Sequence, residues 1–364
     1  MRVLLLANHL NTGGIATYVL NLSRGLAARG HKVWVASAGG NCAGLLQGHA
    51  QHIDLDIGIK SEVHPKVWLA LPHIAAFVRE ERMDMVHANT RVTQVLSWSI
   101  EKVTGVPFVS TCHGFFRPRL FRRIFPCWGK SVIAISRPVS QHLVQDFHLD
   151  TAKVQLIANG IDLKQFFPAD ENERRRRRQQ WNAQAGPIIG IVARLSSVKG
   201  IDLLIKAFAC IRKQFPQAQL WIVGDGPEKQ KLRQLTGQMG LDGCVRFEAI
   251  VNQTPDVLPV FDIFVMPSVQ EGLGLAVMEA QACGIAVVAS NVGGLPDLIE
   301  DGKTGFLFTS GDTEALAAKI IELLNNPGQA QAMAVAARRQ VEKKFSLDQM
   351  VEQTIALYEQ NISR

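Results

Sequence analysis

The feature that most constrains this chain is a twice-repeated alternation of short β-branched apolar runs with segments of helical apolar spacing. Arg2–Ala7 leads into Asn11-Thr12-Gly13-Gly14, then into a stretch whose apolar positions Ile15, Val19, Leu22 and Leu26 share one helical face, then into Lys32–Ala36. Runs that are apolar on both faces and joined by helices belong to parallel sheets covered on both sides. Met85–His87, Pro107–Thr111 and Ser131–Ile135 continue the series. A second series opens at Ile188–Ala193 and passes through a helix burying Leu204, Phe208, Ile211 and Phe215. It goes on through Gln219–Val223, Val245–Ile250, Ile263–Met266, Ala286–Ala289 and Gly305–Phe308.

Single hydrophobic cores stop growing at about 250–300 residues, so a chain of 364 residues is expected to hold two domains. The expected class is α/β, two Rossmann-like domains whose parallel sheets face each other across a cleft. The pattern breaks at Phe166-Phe167-Pro168, and a polar stretch with the arginine run Arg174 to Arg178 follows. This gives an amino-terminal domain over 1–168, a basic, exposed linker helix within 169–186, a second domain over 187–343, and a final helix within 344–364 capped by Ser346.

With 47% hydrophobic and 20% charged residues the chain reads as a globular enzyme with little room for long disorder. Its net charge of +7 favours anionic partners, but no nucleic-acid-binding module accompanies that charge, and nucleic acid is not expected. The cysteines, Cys42, Cys112, Cys127, Cys210, Cys244 and Cys283, are scattered. They form neither a metal-spaced pair nor a disulfide framework, so the expected setting is the reducing cytoplasm. No run approaches the roughly 20 apolar residues of a spanning helix, and Met1–His9 does not read as a signal peptide. Membrane contact, if made, is expected to be peripheral.

Open parallel sheets bind ligands beyond the carboxyl ends of their strands, and three loops there carry chemistry. Gly13-Gly14, between strand and helix, lets backbone N–H groups approach an anion or a sugar, though alone it is equally a tight turn. It lacks the Gly-x-Gly-x-x-Gly of dinucleotide folds, which disfavours an NAD-dependent enzyme. Strand Ile188–Ala193 runs into Arg194-Leu195-Ser196-Ser197-Val198-Lys199-Gly200, two cations that could stabilise a departing diphosphate or simply be solvated. In Pro267-Ser268-Val269-Gln270-Glu271-Gly272-Leu273-Gly274-Leu275-Ala276-Val277-Met278-Glu279, a loop carboxylate can hold sugar hydroxyls, a helix N-terminus can take phosphate, and the helical Glu279 can accept both hydroxyls of a ribose.

In these segments, and in His113-Gly114, Asn159-Gly160-Ile161-Asp162, Gly224-Asp225-Gly226-Pro227 and Gly293-Gly294-Leu295-Pro296-Asp297, the chain resembles the family-4 glycosyltransferases of the GT-B fold over nearly its whole length. The resemblance implies retaining transfer from a nucleotide-sugar substrate, with no cofactor and no metal. Carried over by position, it implies that Arg194 and Lys199 bind the diphosphate, Glu279 the ribose, and Glu271, with backbone groups of Gly272, Leu273, Gly274 and Leu275, the donor sugar. His113 would touch the donor sugar near the reacting carbon, and Gly14 would approach the pyrophosphate or the acceptor. The last helix would cross back to the first domain. Two departures stand out: Ala158 where the family commonly has proline, and Glu248-Ala249 where a glycine commonly follows Phe247.

A double displacement needs a carboxylate beneath the anomeric carbon. Glu271 is assigned to hydroxyls and no other obvious candidate appears, and the family resemblance implies front-face substitution, the departing phosphate oxygen helping to deprotonate the acceptor and domain closure excluding water. After His113, the segment holding Phe116, Arg117, Arg119, Arg122 and Arg123 interleaves aromatics with arginines. Such a strip can rest on an anionic bilayer or pack its rings inward. Bacterial members of the family that glycosylate lipopolysaccharide core or other lipid-linked acceptors carry a basic, membrane-facing surface in the same domain, so the resemblance favours a lipid-linked, lipopolysaccharide or other surface-polysaccharide acceptor, with the enzyme on the inner face of the cytoplasmic membrane; the expected donor is a UDP-sugar. The rival readings are a nucleotide-sugar epimerase and a non-catalytic nucleotide-sugar-binding subunit on the same fold.

Overall fold

The computed structural model describes residues 1–118, 122, 125–249 and 254–363. They divide into two compact units, one formed by Met1–Gly160 together with the chain from Leu347 onward, the other by Ile161–Ser346. In the first unit, β1 (Arg2–Leu6), β2 (Lys32–Ser37), β3 (Gln51–Asp54), β4 (Met85–Ala88), β5 (Phe108–Cys112), β6 (Ser131–Ala134) and β7 (Val154–Leu156) form a parallel sheet in the order β3-β2-β1-β4-β5-β6-β7. Val3 stands opposite Val33 on one side and Met85 on the other. The second unit repeats the plan with β8 (Ile188–Val192), β9 (Gln219–Val223), β10 (Val245–Glu248), β11 (Ile263–Met266), β12 (Ala286–Ser290) and β13 (Phe306–Phe308), in the order β10-β9-β8-β11-β12-β13. Both are parallel α/β units of the expected class.

In both sheets the winding reverses beside the first strand, between β1 and β4 and between β8 and β11. Loops leaving the two strands at such a point part in opposite directions and leave a crevice at the carboxyl ends. The central strands hold these points rigid, since Val3, Leu4, Leu5, Leu6, Ile188, Ile189 and Ile191 are fully buried. Each such side chain contributes roughly 1.5–3 kcal/mol of burial.

The division between the units falls at Gly160, ahead of the expected boundary at 168, and residues 169–186 are not a linker. Glu171–Gln180 is a helix, and one of its faces is fixed to the second unit. Arg174 donates to Asp262 Oδ1 (2.9 Å) and to the Phe261 carbonyl (3.1 Å), Arg178 to Asp262 Oδ2 (2.6 Å), and Arg177 to Asp256 (2.8 Å). Arg175 and Arg176 alone of the run remain exposed. A run of like charge looks solvated in sequence, but carboxylates far along the chain are met at i, i+3 and i+4.

The last helix, Leu347–Ile362, lies in the first unit. Near its start Arg29 pairs with Asp348 (2.9 Å) and Glu352 (3.2 Å). Its interior end reaches the sheet through a buried polar chain. The Tyr358 hydroxyl meets His87 Nδ1 at 2.6 Å, His87 Nε2 meets Thr111 Oγ1 at 2.6 Å, and Thr111 meets the Tyr18 hydroxyl at 3.2 Å. His87 is fully buried, and burial pushes its pKa down to about 3. The ring is neutral, so one nitrogen donates while the other accepts.

This sets a sign for acid sensitivity. An unfolded chain protonates His87 near pH 6.5, whereas the folded one resists until about pH 3, so its contribution is whole above pH 6.5 and is lost as pH falls through that window. The expected slope from this residue is about 1.4 kcal/mol per pH unit. Denaturant midpoints of the wild type and His87→Gln, compared at pH 7 and pH 5, should show a shallower acid loss in the variant.

Candidate active site

In the second unit, the carboxyl ends of β8 and β11 bring the two cations and the loop carboxylate into one crevice. The chain leaves β8 through Arg194, and a short turn at Ser197–Lys199 ends at Gly200 in a left-handed conformation, φ 61°. A β-carbon there would stand 2.1 Å from the Pro267 carbonyl oxygen, so only glycine lets this loop lie against the one leaving β11. The Val269 amide completes the seam by donating to the Val198 carbonyl at 2.8 Å. Lys199 Nζ thereby reaches Glu271 Oε2 at 2.6 Å. The buried Ser268 hydroxyl donates to the same oxygen at 3.2 Å, and its own carbonyl is held by Ser290 (2.5 Å). Glu271 is also fixed from behind. Gly294 N–H donates to its carbonyl (3.1 Å), and at Gly293, φ 52°, a β-carbon would collide with that oxygen at 1.8 Å.

Arg194 is exposed, and its guanidinium has no partner among the described residues. Lys199 and Arg194 therefore differ in state: one cation is neutralised by Glu271, the other is available. Gly272 and Leu273 follow Glu271, and Gly274 precedes the helix Leu275–Ala282, whose amino end carries no side-chain cap. Leu273 is buried and Leu275 half-buried. Glu279 lies one turn into this helix, 8% exposed, and accepts from the Thr254 hydroxyl at 2.9 Å. Burial raises its pKa to about 7.

The first unit's crevice holds the other residues singled out in the sequence. Gly14 is exposed and opens the helix Gly14–Ala27, with no side chain capping it. His113, just past β5, is part-buried. Its Nε2 lies 3.2 Å from Asn89 Oδ1, and its ring stands edge-on to Tyr18 at 4.8 Å. Burial drives its pKa down to about 3, so it is a neutral imidazole. Asn89, Tyr18, Ser268 and Thr254 were not legible as site residues, because each acts by supporting a neighbour that only folding brings near.

Of the basic aromatic strip, Arg119 and Arg123 lie outside the described residues. Arg122 sits over the Phe116 ring at 4.5 Å, while the Phe116 amide donates to His142 Nε2 at 3.0 Å. Phe116 is thus half-buried against its own unit, and Arg117 is exposed.

A cavity of about 800 Å³ in the second unit lies at the opposite, amino end of the strands, beside Pro187, Ile263 and Ala286. Three of its four arginines are spent on protein groups, Arg174 and Arg178 on Asp262, and Arg338 on Glu342 (2.6 Å) and the Phe166 carbonyl (2.6 Å), while Arg339 is exposed. The chemistry is concentrated in the crevice.

Glu279 destabilises the fold for the sake of its position. The folded state holds its proton until about pH 7 and the unfolded one only to about 4.5, so the cost is full above pH 7 and vanishes as pH falls to 4.5. Glu279→Gln should stabilise the protein at pH 8 by about 3 kcal/mol, an advantage that fades by pH 4.5 in melting experiments.

Residues 12–165 match the model of the family described as Glycosyltransferase Family 4, and residues 173–340 that of Glycosyl transferases group 1. A relative of similar length is the D-inositol 3-phosphate glycosyltransferase of Corynebacterium jeikeium, 28% identical over 96% of this chain and 92% of its own. A glycosyltransferase from Rickettsia africae superposes with a TM-score of 0.89 at 23% identity, covering 100% of this chain and 98% of its own. Anabaena HepE in complex with UDP and glucose gives 0.86 at 24% identity, covering 99% of each chain. Two family models that between them span most of the sequence, on two parallel-sheet units of this topology, establish that the chain belongs to the family-4 glycosyltransferases of the GT-B fold.

Proposed function

We propose that this glycosyltransferase moves a sugar, with retention and without a metal, from a UDP-sugar to a hydroxyl of a lipid-linked, lipopolysaccharide or other surface-polysaccharide acceptor. The observation that carries the donor half is the Lys199–Glu271 pair at 2.6 Å, with Arg194 exposed on the same loop. A diphosphate entering the crevice meets Arg194 first and then draws Lys199 from its partner, which frees Glu271 to accept hydrogen bonds from donor-sugar hydroxyls. Glu279 accepts from the ribose hydroxyls, which replace the water its burial removed. Backbone N–H groups from Gly272 to Leu275 face the sugar and phosphate at the start of their helix, where the dipole favours negative charge.

As the glycosidic bond breaks, negative charge grows on the diphosphate, and Arg194 and Lys199 stabilise it from fixed positions. These two cations support a metal-independent reaction. Retention is supported by the engagement of Glu271: accepting hydrogen bonds from the donor-sugar hydroxyls and from Ser268, it is a poor nucleophile toward the anomeric carbon, which leaves front-face substitution with the leaving phosphate oxygen taking the acceptor proton. His113 meets the donor sugar near the reacting carbon, and Gly14 approaches the donor pyrophosphate or the acceptor.

The acceptor reading rests on the net charge of +7 and the exposed Arg117 beside Arg122. It places the enzyme in the cytoplasm, on the inner face of the membrane, as a peripheral protein. No helix among the described residues is long and apolar enough to cross a membrane.

UDP-sugars are the first donors to test, since the Anabaena protein holds UDP and glucose on the same fold. In a melting panel of UDP-, GDP- and ADP-sugars, the true donor at 100 times its Kd should stabilise the protein by about 2.7 kcal/mol. Lys199→Ala should lower kcat roughly 10²-fold, and Glu271→Ala should abolish transfer; full activity in Glu271→Ala would overturn the assignment. Arg117→Ala with Arg122→Ala should weaken sedimentation with anionic vesicles, and unchanged binding would remove the membrane from this reading.

A further inference from the structure

Asn89 follows β4 at the crevice of the first unit and is 2% exposed. Its amide orientation is fixed by what surrounds it. Nδ2 lies 3.2 Å from the Leu6 carbonyl and 3.3 Å from the His87 carbonyl. Both are acceptors only, so the group facing them must be the NH₂ and the group facing His113 must be the oxygen. The Asn89 backbone is equally constrained, its N–H lying 3.0 Å from the Leu6 carbonyl and 3.1 Å from Thr93 Oγ1. Oδ1 therefore presents a fixed acceptor to His113 Nε2 at 3.2 Å.

We infer that Asn89 is a positioning residue that locks His113 in the Nε2–H tautomer, so that Nδ1 carries a lone pair and accepts a hydrogen bond from a hydroxyl of the bound sugar. The inference rests on the proposed role of His113 at the donor sugar. A neutral imidazole with Nε2–H donating to Asn89 has one acceptor left, Nδ1, and that atom has no partner among the described residues. Tyr18 holds the ring in its plane by edge-on contact at 4.8 Å, and its own hydroxyl is tied to Thr111 at 3.2 Å. His113 can then neither donate a proton to the leaving group nor contribute positive charge. It recognises a hydroxyl that donates to it, and leaves stabilisation of charge to Arg194 and Lys199.

The charged groups that bear on this ring are few. His87, behind Thr111 and Asn89, is itself neutral, and the side chains of the described residues that contact the His113 ring are Tyr18 and Asn89, neither a carboxylate. Placing one there is thus an informative change. In Asn89→Asp a carboxylate would sit at hydrogen-bond distance from Nε2 and favour the imidazolium, which has no acceptor nitrogen.

Two measurements test this. Long-range ¹H–¹⁵N correlation of the wild-type full chain, in which the ring signals are assigned with a His113→Gln variant, should show His113 neutral at pH 6 with Nε2 protonated and Nδ1 bare; the opposite tautomer or an imidazolium would overturn the lock. In Asn89→Asp, transfer should acquire a new acid limb, kcat falling roughly tenfold per pH unit below the raised His113 pKa and recovering at higher pH. A pH profile parallel to that of the wild type would overturn the functional half of the inference. If no donor supports transfer by the wild type, the proposed function fails while the spectrum still decides the tautomer.

Discussion

Strand β1 pairs with β2 on one side and β4 on the other, as β8 does with β9 and β11, so in each sheet the chain must wind in opposite senses from a single strand. Parallel pairing then leaves the carboxyl ends of two adjacent strands with loops diverging above them. Lys199 and Glu271 stand far apart in sequence and meet because their loops leave the two strands at one such point. Asn89 and His113 in the first unit meet as neighbours on one side of the reversal, where the loop after β4 lies beside the end of β5. The reversal costs nothing specific, since buried Val, Leu and Ile on the central strands stabilise it, and it creates a place where side chains from distant segments can be combined.

What fills these places is poised rather than relaxed. Glu279 is buried with a single hydroxyl donor, Glu271 is balanced by a lysine that a diphosphate would compete for, and Arg194 has no protein partner among the described residues. Each is a modest local cost that a nucleotide sugar would relieve: hydroxyls for the carboxylates, phosphates for the cations. The first unit is arranged differently. His87, Thr111, Tyr18 and Tyr358 satisfy one another inside the fold, and only the outer edge of His113 is left for a ligand. On the proposed reading, donor recognition is concentrated in the second unit, while the first presents a neutral, oriented ring.

Strands buried on both faces were legible in the sequence because their apolar runs are continuous, as Val3–Leu6 and Phe264–Met266 show. The two edge strands of the first sheet were not. Gln51–Asp54 and Val154–Leu156 are short and mostly exposed or half-buried, so nothing demands apolar continuity of them. The arginine run read as a solvated linker because its partners, Asp256 and Asp262, are supplied by tertiary folding. Arg194, Lys199, Glu271, Glu279 and His113 could be named because glycine-flanked loops and the family resemblance mark them. Ser268, Thr254, Asn89 and Tyr18 could not, since a hydroxyl or amide that orients a neighbour carries no periodic signal.

The central claim is that the crevice at the carboxyl ends of β8 and β11 receives the donor nucleotide. A crystal structure of the protein soaked with UDP tests it most directly. The account predicts the diphosphate within hydrogen-bond distance of Arg194 and Lys199, the Lys199–Glu271 pair opened, and the ribose hydroxyls on Glu279. Density for UDP in the cavity beside Arg174, Arg178 and Arg338, with Lys199 still on Glu271, would contradict it.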